Sequence, residues 1–139
     1  FEYKVPPGGN NGLAIRYPGS GDTAYVGMCE LQVLDDTAKK YAKLHPAQYH
    51  ASAYGMVAAE RGYQRPVGDW NFQQVTVVGS TITVEMNGTR ILTADLANVE
   101  KPMYDINKFK GRLRKSGFFG FAGHGDAVSF RNVQIKSLK

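Results

Sequence analysis

Residues 71–94 read NFQQVTVVGSTITVEMNGTRILTA, and this stretch decides the fold. Apolar and polar residues alternate over 71–78 and 81–86, which is the period of a half-buried β-strand. Gly79-Ser80 separates these two segments. Asn87-Gly88, a pair that tolerates positive φ, then predicts a tight hairpin before a third strand at 89–94. Antiparallel strands joined by short turns are therefore the expected architecture.

Strand patterns and turn signals continue on both sides of this stretch. Strands are predicted at 1–5, 13–17, 27–34, 117–123 and 127–138, separated by Gly-, Pro- and Asn-rich turns. A short helix is predicted from Asp36 or Thr37 to Leu44, and residues 45–69 are expected to form a long excursion over one end of the sheet. No βαβ pattern occurs. The sequence therefore predicts an all-β protein, an antiparallel β-sandwich with a short helix and long loops.

Composition limits the classes of function. The chain has 139 residues, enough for one domain, and a formal net charge of +5. Its basic clusters at 39–43 and 108–115 are not interleaved with stacking aromatics, so no nucleic-acid partner is expected. No apolar run is long enough to span a membrane. Cys29 is the only cysteine, which excludes an internal disulfide, and no Cys/His spacing indicates a structural zinc.

Residues 27–36, GMCELQVLDD, carry the clearest functional question. Cys29, Leu31 and Val33 are expected to face the core, while Glu30 and Gln32 face the other way. That second face either lines a polar groove or is the solvated side of an ordinary antiparallel sheet. Arg16, on the polar face of the preceding strand, is expected to lie beside Glu30.

Several segments, taken in order, resemble one protein family. They are residues 6–16, 27–36, Ala-Tyr-Gly at 53–55, Gly-Asp-Trp-Asn at 68–71, Asn-Gly at 87–88, Gly-Phe-Phe-Gly-Phe at 117–121, His-Gly-Asp at 124–126 and Phe-Arg-Asn-Val-Gln-Ile at 130–135. Together they are similar to the 3-keto-disaccharide hydrolase domain family.

This resemblance implies a jelly roll of the concanavalin A-like lectin/glucanase type. It also implies that residues 1–139 form a single such domain lacking its N-terminal strands, because the family's opening segment is missing. The implied partner is a carbohydrate, an oxidised disaccharide or glycoside. The implied location is periplasmic or secreted.

The implied chemistry begins from a sugar whose C3 hydroxyl is already a ketone. The carbonyl acidifies the C2 hydrogen, so a base can remove that proton, the enolate can expel the aglycone, and water can add back. Such a route needs a general base, an electrophile for the enolate oxygen and an acid for the leaving group. The expected catalytic residues are Glu30 as base or metal ligand, Arg16 as electrophile or sugar clamp, and His124 as a proton-exchanging group.

A ring of sugar-binding groups is expected around these three, made of Gln32, Asp35, Tyr54, Trp70 and Arg131. Each has a structural alternative: Asp35 as a helix cap, Arg131 as a brace of the last strand, and Trp70 as a core residue. No cofactor is evident, and a divalent metal held by Glu30, His124 and a carboxylate is left open. Two other functions are left open as well, a non-catalytic carbohydrate-binding module and a protein-interaction domain.

Overall fold

The computed structural model describes residues 1–138 and contains eight strands and one short α-helix. The strands are β1 (Glu2–Lys4), β2 (Asn10–Tyr17), β3 (Cys29–Leu34), β4 (Asn71–Val78), β5 (Thr81–Met86), β6 (Thr89–Asp95), β7 (Phe118–Gly123) and β8 (Ser129–Arg131). The helix α1 (Thr23–Val26) precedes β3. Among the described residues, no helix has the length and hydropathy needed to cross a membrane.

The strands form two antiparallel sheets. One has five strands in the order β6-β5-β4-β1-β8, and the other has three in the order β3-β2-β7. The hairpins β4–β5 and β5–β6 follow the predicted turns, with Gly79 and Asn87-Gly88 all at positive φ. The predicted all-β antiparallel sandwich is confirmed.

The core lies between the two sheets. Cys29, Leu31 and Val33 of β3 are completely buried there, as predicted from their alternation. They pack in one cluster with side chains of the five-stranded sheet, including Ile82 and Val84. Burial of this apolar surface is the main force that holds the sheets together.

A buried polar network reinforces the core beside β1. The ring of His50 stacks on Tyr3, with centroids 4.8 Å apart. Its Nδ1 accepts the backbone N–H of Leu34 at 3.1 Å, so the proton of the neutral ring sits on Nε2, which donates to Oε1 of Gln73 at 2.9 Å. Burial lowers the pKa of His50 to about 4, so the ring is neutral throughout the physiological range.

Two predicted elements are shorter in the structure. The helix expected up to Leu44 is only a 3-10 turn at Lys39–Tyr41, because Asp35 holds the N–H and hydroxyl of Thr37 in a local turn. The last strand ends at Arg131 rather than Leu138. Strand β1 offers only three pairing positions, and Asn132 turns to positive φ immediately after them.

A groove of about 980 Å³ opens between the two sheets. It is lined by apolar side chains of both sheets and of the C-terminal segment, including Leu13, Ile15, Val75 and Ile135. Strands β7 and β8 lie at sheet edges beside it. That the domain lacks its N-terminal strands stays a prediction.

Candidate functional site

A pocket of about 200 Å³ lies on the face of the three-stranded sheet that points away from the core. Its floor is β3, where Glu30, Gln32 and Leu34 alternate with the core residues. All six residues of β3 are buried, because side chains of α1 and of residues 41–54 surround its outer face and the backbone of residues 51–54 hydrogen-bonds along its edge. The polar side of β3 is therefore a covered pocket floor rather than a solvated surface.

Small residues on the neighbouring strands make room for the pocket. Gly12 and Ala14 of β2 pair with Gln32 and Glu30, and they pair on the other side with Ala122 and Gly120 of β7. Directly paired residues point to the same face of an antiparallel sheet. A Cβ on Gly12 would lie 2.1 Å from Oε1 of Glu30, so the carboxylate lies directly on the backbone of β2. Gly120 and Ala122 of β7 are small for the same reason: they continue this face of the sheet without side chains that would fill the pocket.

Glu30 is the central ionisable group of this pocket. Glu30 is 7% exposed, and its Oε2 accepts a hydrogen bond from the hydroxyl of Thr23 in α1. Burial raises the pKa of Glu30, while the Thr23 hydrogen bond and the nearby His124 act in the opposite direction. Asp22 adds a smaller upward contribution through like-charge repulsion. The balance leaves a carboxyl group that holds its proton more tightly than an ordinary glutamate.

His124 reaches the same pocket from the turn after β7. Its Nε2 lies 3.9 Å from Oε1 of Glu30, and nearly half of its side chain is exposed. The turn is fixed by Asp126, whose Oδ2 accepts the backbone N–H of Asn10 at 3.0 Å, and by Gly125 at positive φ. A half-exposed imidazole beside a buried carboxyl can exchange protons with both solvent and a bound molecule.

Hydrogen-bonding side chains and tyrosines form the walls. Gln32 donates from Nε2 to Oδ1 of Asn10 at 2.6 Å. The hydroxyl of Tyr54 accepts a hydrogen bond from Nε2 of Gln48 at 3.0 Å, so its own O–H can donate to another acceptor. Tyr25 and Tyr41 complete the aromatic part of the wall.

The structure thus brings four of the predicted residues together, Glu30, Gln32, Tyr54 and His124, while their roles stay predictions. Sequence reasoning missed Asn10, Asp22, Tyr25, Tyr41 and Gln48. Of these five, only Asp22 has a role that a local pattern can indicate: it is a helix N-cap, and its side chain accepts the N–H of Ala24 at 3.0 Å. The others reach the pocket through loop packing, which no local pattern encodes.

Arg16 does not line this pocket, and the predicted proximity to Glu30 is wrong. Strand β2 contains a bulge after Ala14, and Arg16 itself has φ of 47°. The bulge re-aims the side chain. Its Nη1 donates to the backbone oxygens of Gly79 at 2.7 Å and Arg114 at 2.8 Å. Arg16 therefore ties β2 to the β4–β5 hairpin and to the basic segment.

Three predicted sugar-binding residues also lie outside the pocket lining. Asp35 accepts hydrogen bonds from Gly8 and Thr37, and these bonds outweigh burial and lower its pKa. Arg131 pairs with Glu2 at 3.0 Å, and its guanidinium lies 4.0 Å from the ring centroid of Trp70. These contacts fit the structural alternatives for Asp35 and Arg131, while sugar binding by Asp35, Trp70 and Arg131 stays a prediction.

Within residues 1–138, no three side chains of His, Cys, Asp or Glu are placed to hold a metal ion. Glu30 and His124 are the two candidate ligands that face each other. The divalent metal therefore stays an open prediction.

Comparison with known proteins adds a family and a fold. A family model described as a 3-keto-alpha-glucoside-1,2-lyase-like domain matches residues 1–136. A 3-keto-disaccharide hydrolase from Bacteroides thetaiotaomicron is 29% identical over 165 aligned positions, which cover 99% of this chain. The chain spans 57% of that relative's length.

Solved structures share the fold at low identity. A protein from Parabacteroides distasonis, provisionally described as a glycosyl hydrolase, superposes with a TM-score of 0.70 at 21% identity, covering 91% of this chain and 70% of that one. A second protein from the same organism, with the same provisional description, gives a TM-score of 0.66 at 19% identity, covering 91% and 64%.

Proposed function

The chain belongs to the 3-keto-alpha-glucoside-1,2-lyase-like domain family, and from that premise we propose that its pocket cleaves 3-keto-glycosides by elimination and hydration. The reaction would remove the C2 proton, expel the aglycone from C1 and then add water. The observation that carries the proposal is the buried Glu30 carboxyl facing the same pocket as His124. The name of the curated relative supports the substrate class.

Glu30 has the properties of a general base for carbon acids. Efficient proton transfer requires a base whose pKa is raised toward the working pH, and burial acts on Glu30 in that direction. The C3 ketone makes the C2 proton acidic enough to be removed. In this step the C2–H bond breaks, the proton moves to Glu30, and the electron pair moves into the enolate.

The second half of the reaction needs a hydrogen-bond donor and an acid. Tyr54 is the donor we assign to the enolate oxygen, because its hydroxyl already accepts from Gln48 and can donate its proton. His124, in its protonated form, would donate to the aglycone oxygen as the C1–O bond breaks. Water then adds to C1 as hydroxyl and gives its other proton to the now neutral His124, while Glu30 returns its proton to C2, so both residues regain their starting protonation states.

A non-catalytic carbohydrate-binding module is the alternative on the same fold. Burying a carboxyl group costs free energy, and a site that only binds sugar hydroxyls gains nothing from a raised pKa. Glu30 is 7% exposed and lies directly on the β2 backbone. This arrangement favours catalysis over binding alone.

The decisive experiment follows hydrogen exchange at C2. Methyl 3-keto-glucoside is incubated with the protein in deuterium oxide, and NMR measures both deuterium at C2 and released methanol. We expect wild-type protein to catalyse both, and Glu30→Gln to lose at least about 100-fold in both. Glu100→Gln, a change at an exposed carboxylate, is the matched control.

His124→Gln separates the two steps. It should still exchange the C2 proton, but it should release methanol poorly and a nitrophenol aglycone much better, because nitrophenolate leaves without protonation. Binding of the keto-sugar with neither exchange nor release by wild-type protein would support the binding module instead.

A further inference from the structure

Lys108 holds its ammonium group against two tyrosine rings beside the pocket. Its Nζ lies 4.7 Å from the ring centroid of Tyr25 and 3.9 Å from that of Tyr104. Tyr25 is one of the pocket walls. A cation over an aromatic face is attracted by the ring quadrupole. The two rings therefore restrict the position of this ammonium group more than that of an ordinary surface lysine.

The backbone around Lys108 is docked on α1. The N–H of Gly111 donates to the carbonyl of Tyr25 at 2.9 Å, and Nε of Arg114 donates to the carbonyl of Val26 at 2.7 Å. A Cβ on Gly111 would lie 2.1 Å from the Val26 oxygen, so the contact is close. Phe109 is buried against Tyr25, with centroids 5.4 Å apart. The position of Lys108 is therefore set by packing.

The segment that packs against Tyr25 is rich in positive charge, and the carboxylate that precedes it, Asp105, is engaged as a cap, since its Oδ1 accepts the backbone N–H of Asn107 at 2.8 Å. Residues 106–125 contain five Lys and Arg residues and no Asp or Glu. The ion pairs among residues 1–138 involve neither Lys108, Lys110 nor Arg112. The pocket carboxylates Asp22 and Glu30 do not pair with Lys108 either. On another wall, Lys40 lies 4.8 Å from the ring centroid of Tyr41, which also lines the pocket.

We propose that the pocket takes glycosides that carry a carboxylate group, and that Lys108, held between Tyr25 and Tyr104, binds that carboxylate. The inference deepens the proposed function by naming its substrate class and rests on that function for the cleavage step. The acid group belongs either to the sugar, as in a glucuronide, or to the aglycone. In both cases the same ammonium group recognises it.

Two matched pairs of ligands test the proposal by binding, without any reaction. One pair is methyl glucuronide and its neutral amide. The other is 4-carboxyphenyl glucoside and 4-carbamoylphenyl glucoside. We expect the wild-type protein to bind the acid of one pair about five-fold more tightly at low salt, with the preference decreasing as ionic strength rises. The pair that shows the preference identifies which part of the substrate carries the acid.

Variants connect this preference to the ammonium group. Lys108→Gln should abolish it, Lys108→Arg should retain most of it, and Lys136→Gln, an exposed lysine at the groove between the sheets, should not change it. Equal affinity for the acid and the amide in both pairs, or a preference that survives in Lys108→Gln, would overturn the inference. The aryl pair is then tested as 3-keto-glucosides. Failure to cleave either member would refute the proposed function, while the binding measurements would still decide the role of Lys108.

Discussion

Oε1 of Glu30 lies 3.9 Å from Nε2 of His124, although Glu30 comes from the edge strand β3 and His124 from the turn after β7, near the end of the chain. The carboxyl is buried and the imidazole is half-exposed. The pair therefore joins a group that solvent reaches poorly to one that solvent reaches well. In the proposed mechanism, His124 is therefore the group of the pair that exchanges protons with solvent.

Glu30→Gln should make the protein more stable at neutral pH while abolishing activity. Because burial raises the pKa of Glu30, the folded state favours the protonated carboxyl. The contribution of Glu30 to the stability of the wild type is therefore greatest below its unfolded-state pKa, near 4.5, and decreases as the pH rises through its folded-state pKa. The variant has no such loss. Urea unfolding at pH 4 and pH 8 measures this, and a stability difference independent of pH would contradict it.

Gly12→Ala should displace the Glu30 carboxylate. The added Cβ would lie 2.1 Å from Oε1 and 2.4 Å from Cδ, so the side chain must move. We expect a stability cost of about 1–3 kcal/mol and an activity loss of about 100-fold. Gly120→Ala adds the same methyl on the same face of the sheet, where no atom lies within 4 Å. It is the matched control, and similar losses in the two variants would refute the steric explanation.

Thr23→Val should shift the pH dependence of catalysis. The Thr23 hydroxyl donates to Glu30 and lowers the pKa of that carboxyl, in opposition to burial. Valine keeps the shape and removes the hydroxyl, so the pKa rises further and the acidic limb of kcat/KM moves to higher pH. Thr23→Ser should restore the limb. A valine variant that loses activity equally at every pH would instead indicate a purely structural role.

His50 should make the fold sensitive to acid. Its pKa is lowered from about 6.5 to about 4 by burial, so the unfolded chain binds a proton there before the folded chain does. The contribution of His50 to stability is complete above pH 6.5 and decreases as the pH falls toward 4, by about 3 kcal/mol. His50→Gln should be less stable at pH 7 but should lack this part of the pH dependence. Parallel pH profiles of wild type and variant, from thermal unfolding, would contradict the assignment.

The strands could be predicted where pattern and turn chemistry agree. Alternation bounded by Gly79 and Asn87-Gly88 predicted β4 and β5 to the residue and β6 to within one residue. Alternation likewise predicted which side chains of β3 face the core, Cys29, Leu31 and Val33. These features depend on neighbours in sequence, so local patterns contain them.

The errors arose where distant contacts override a local pattern. The alternation of β2 predicted that Arg16 lies beside Glu30, but a bulge after Ala14 turns Arg16 away. The backbone of the bulge is in close contact with Gly117, where a Cβ would lie 2.4 Å from the Arg16 carbonyl carbon. Gly117 is distant in sequence, so no local pattern indicates this contact. The pocket walls depend on how the 35–58 segment folds back over β3. The sequence therefore identified the floor of the site and its histidine, and missed most of its walls.

The origin of the pocket groups has a consequence for folding kinetics. Asn10, Glu30, Tyr54 and His124 come from four separate parts of the chain, and His124 is placed only when β7 pairs with β2 and the following turn bonds to Asn10. Contacts between residues far apart in sequence form slowly, because long loops must close first. Recovery of C2 exchange during refolding should therefore lag behind burial of the core. The site would then report the completion of folding more faithfully than any spectroscopic signal from the strands.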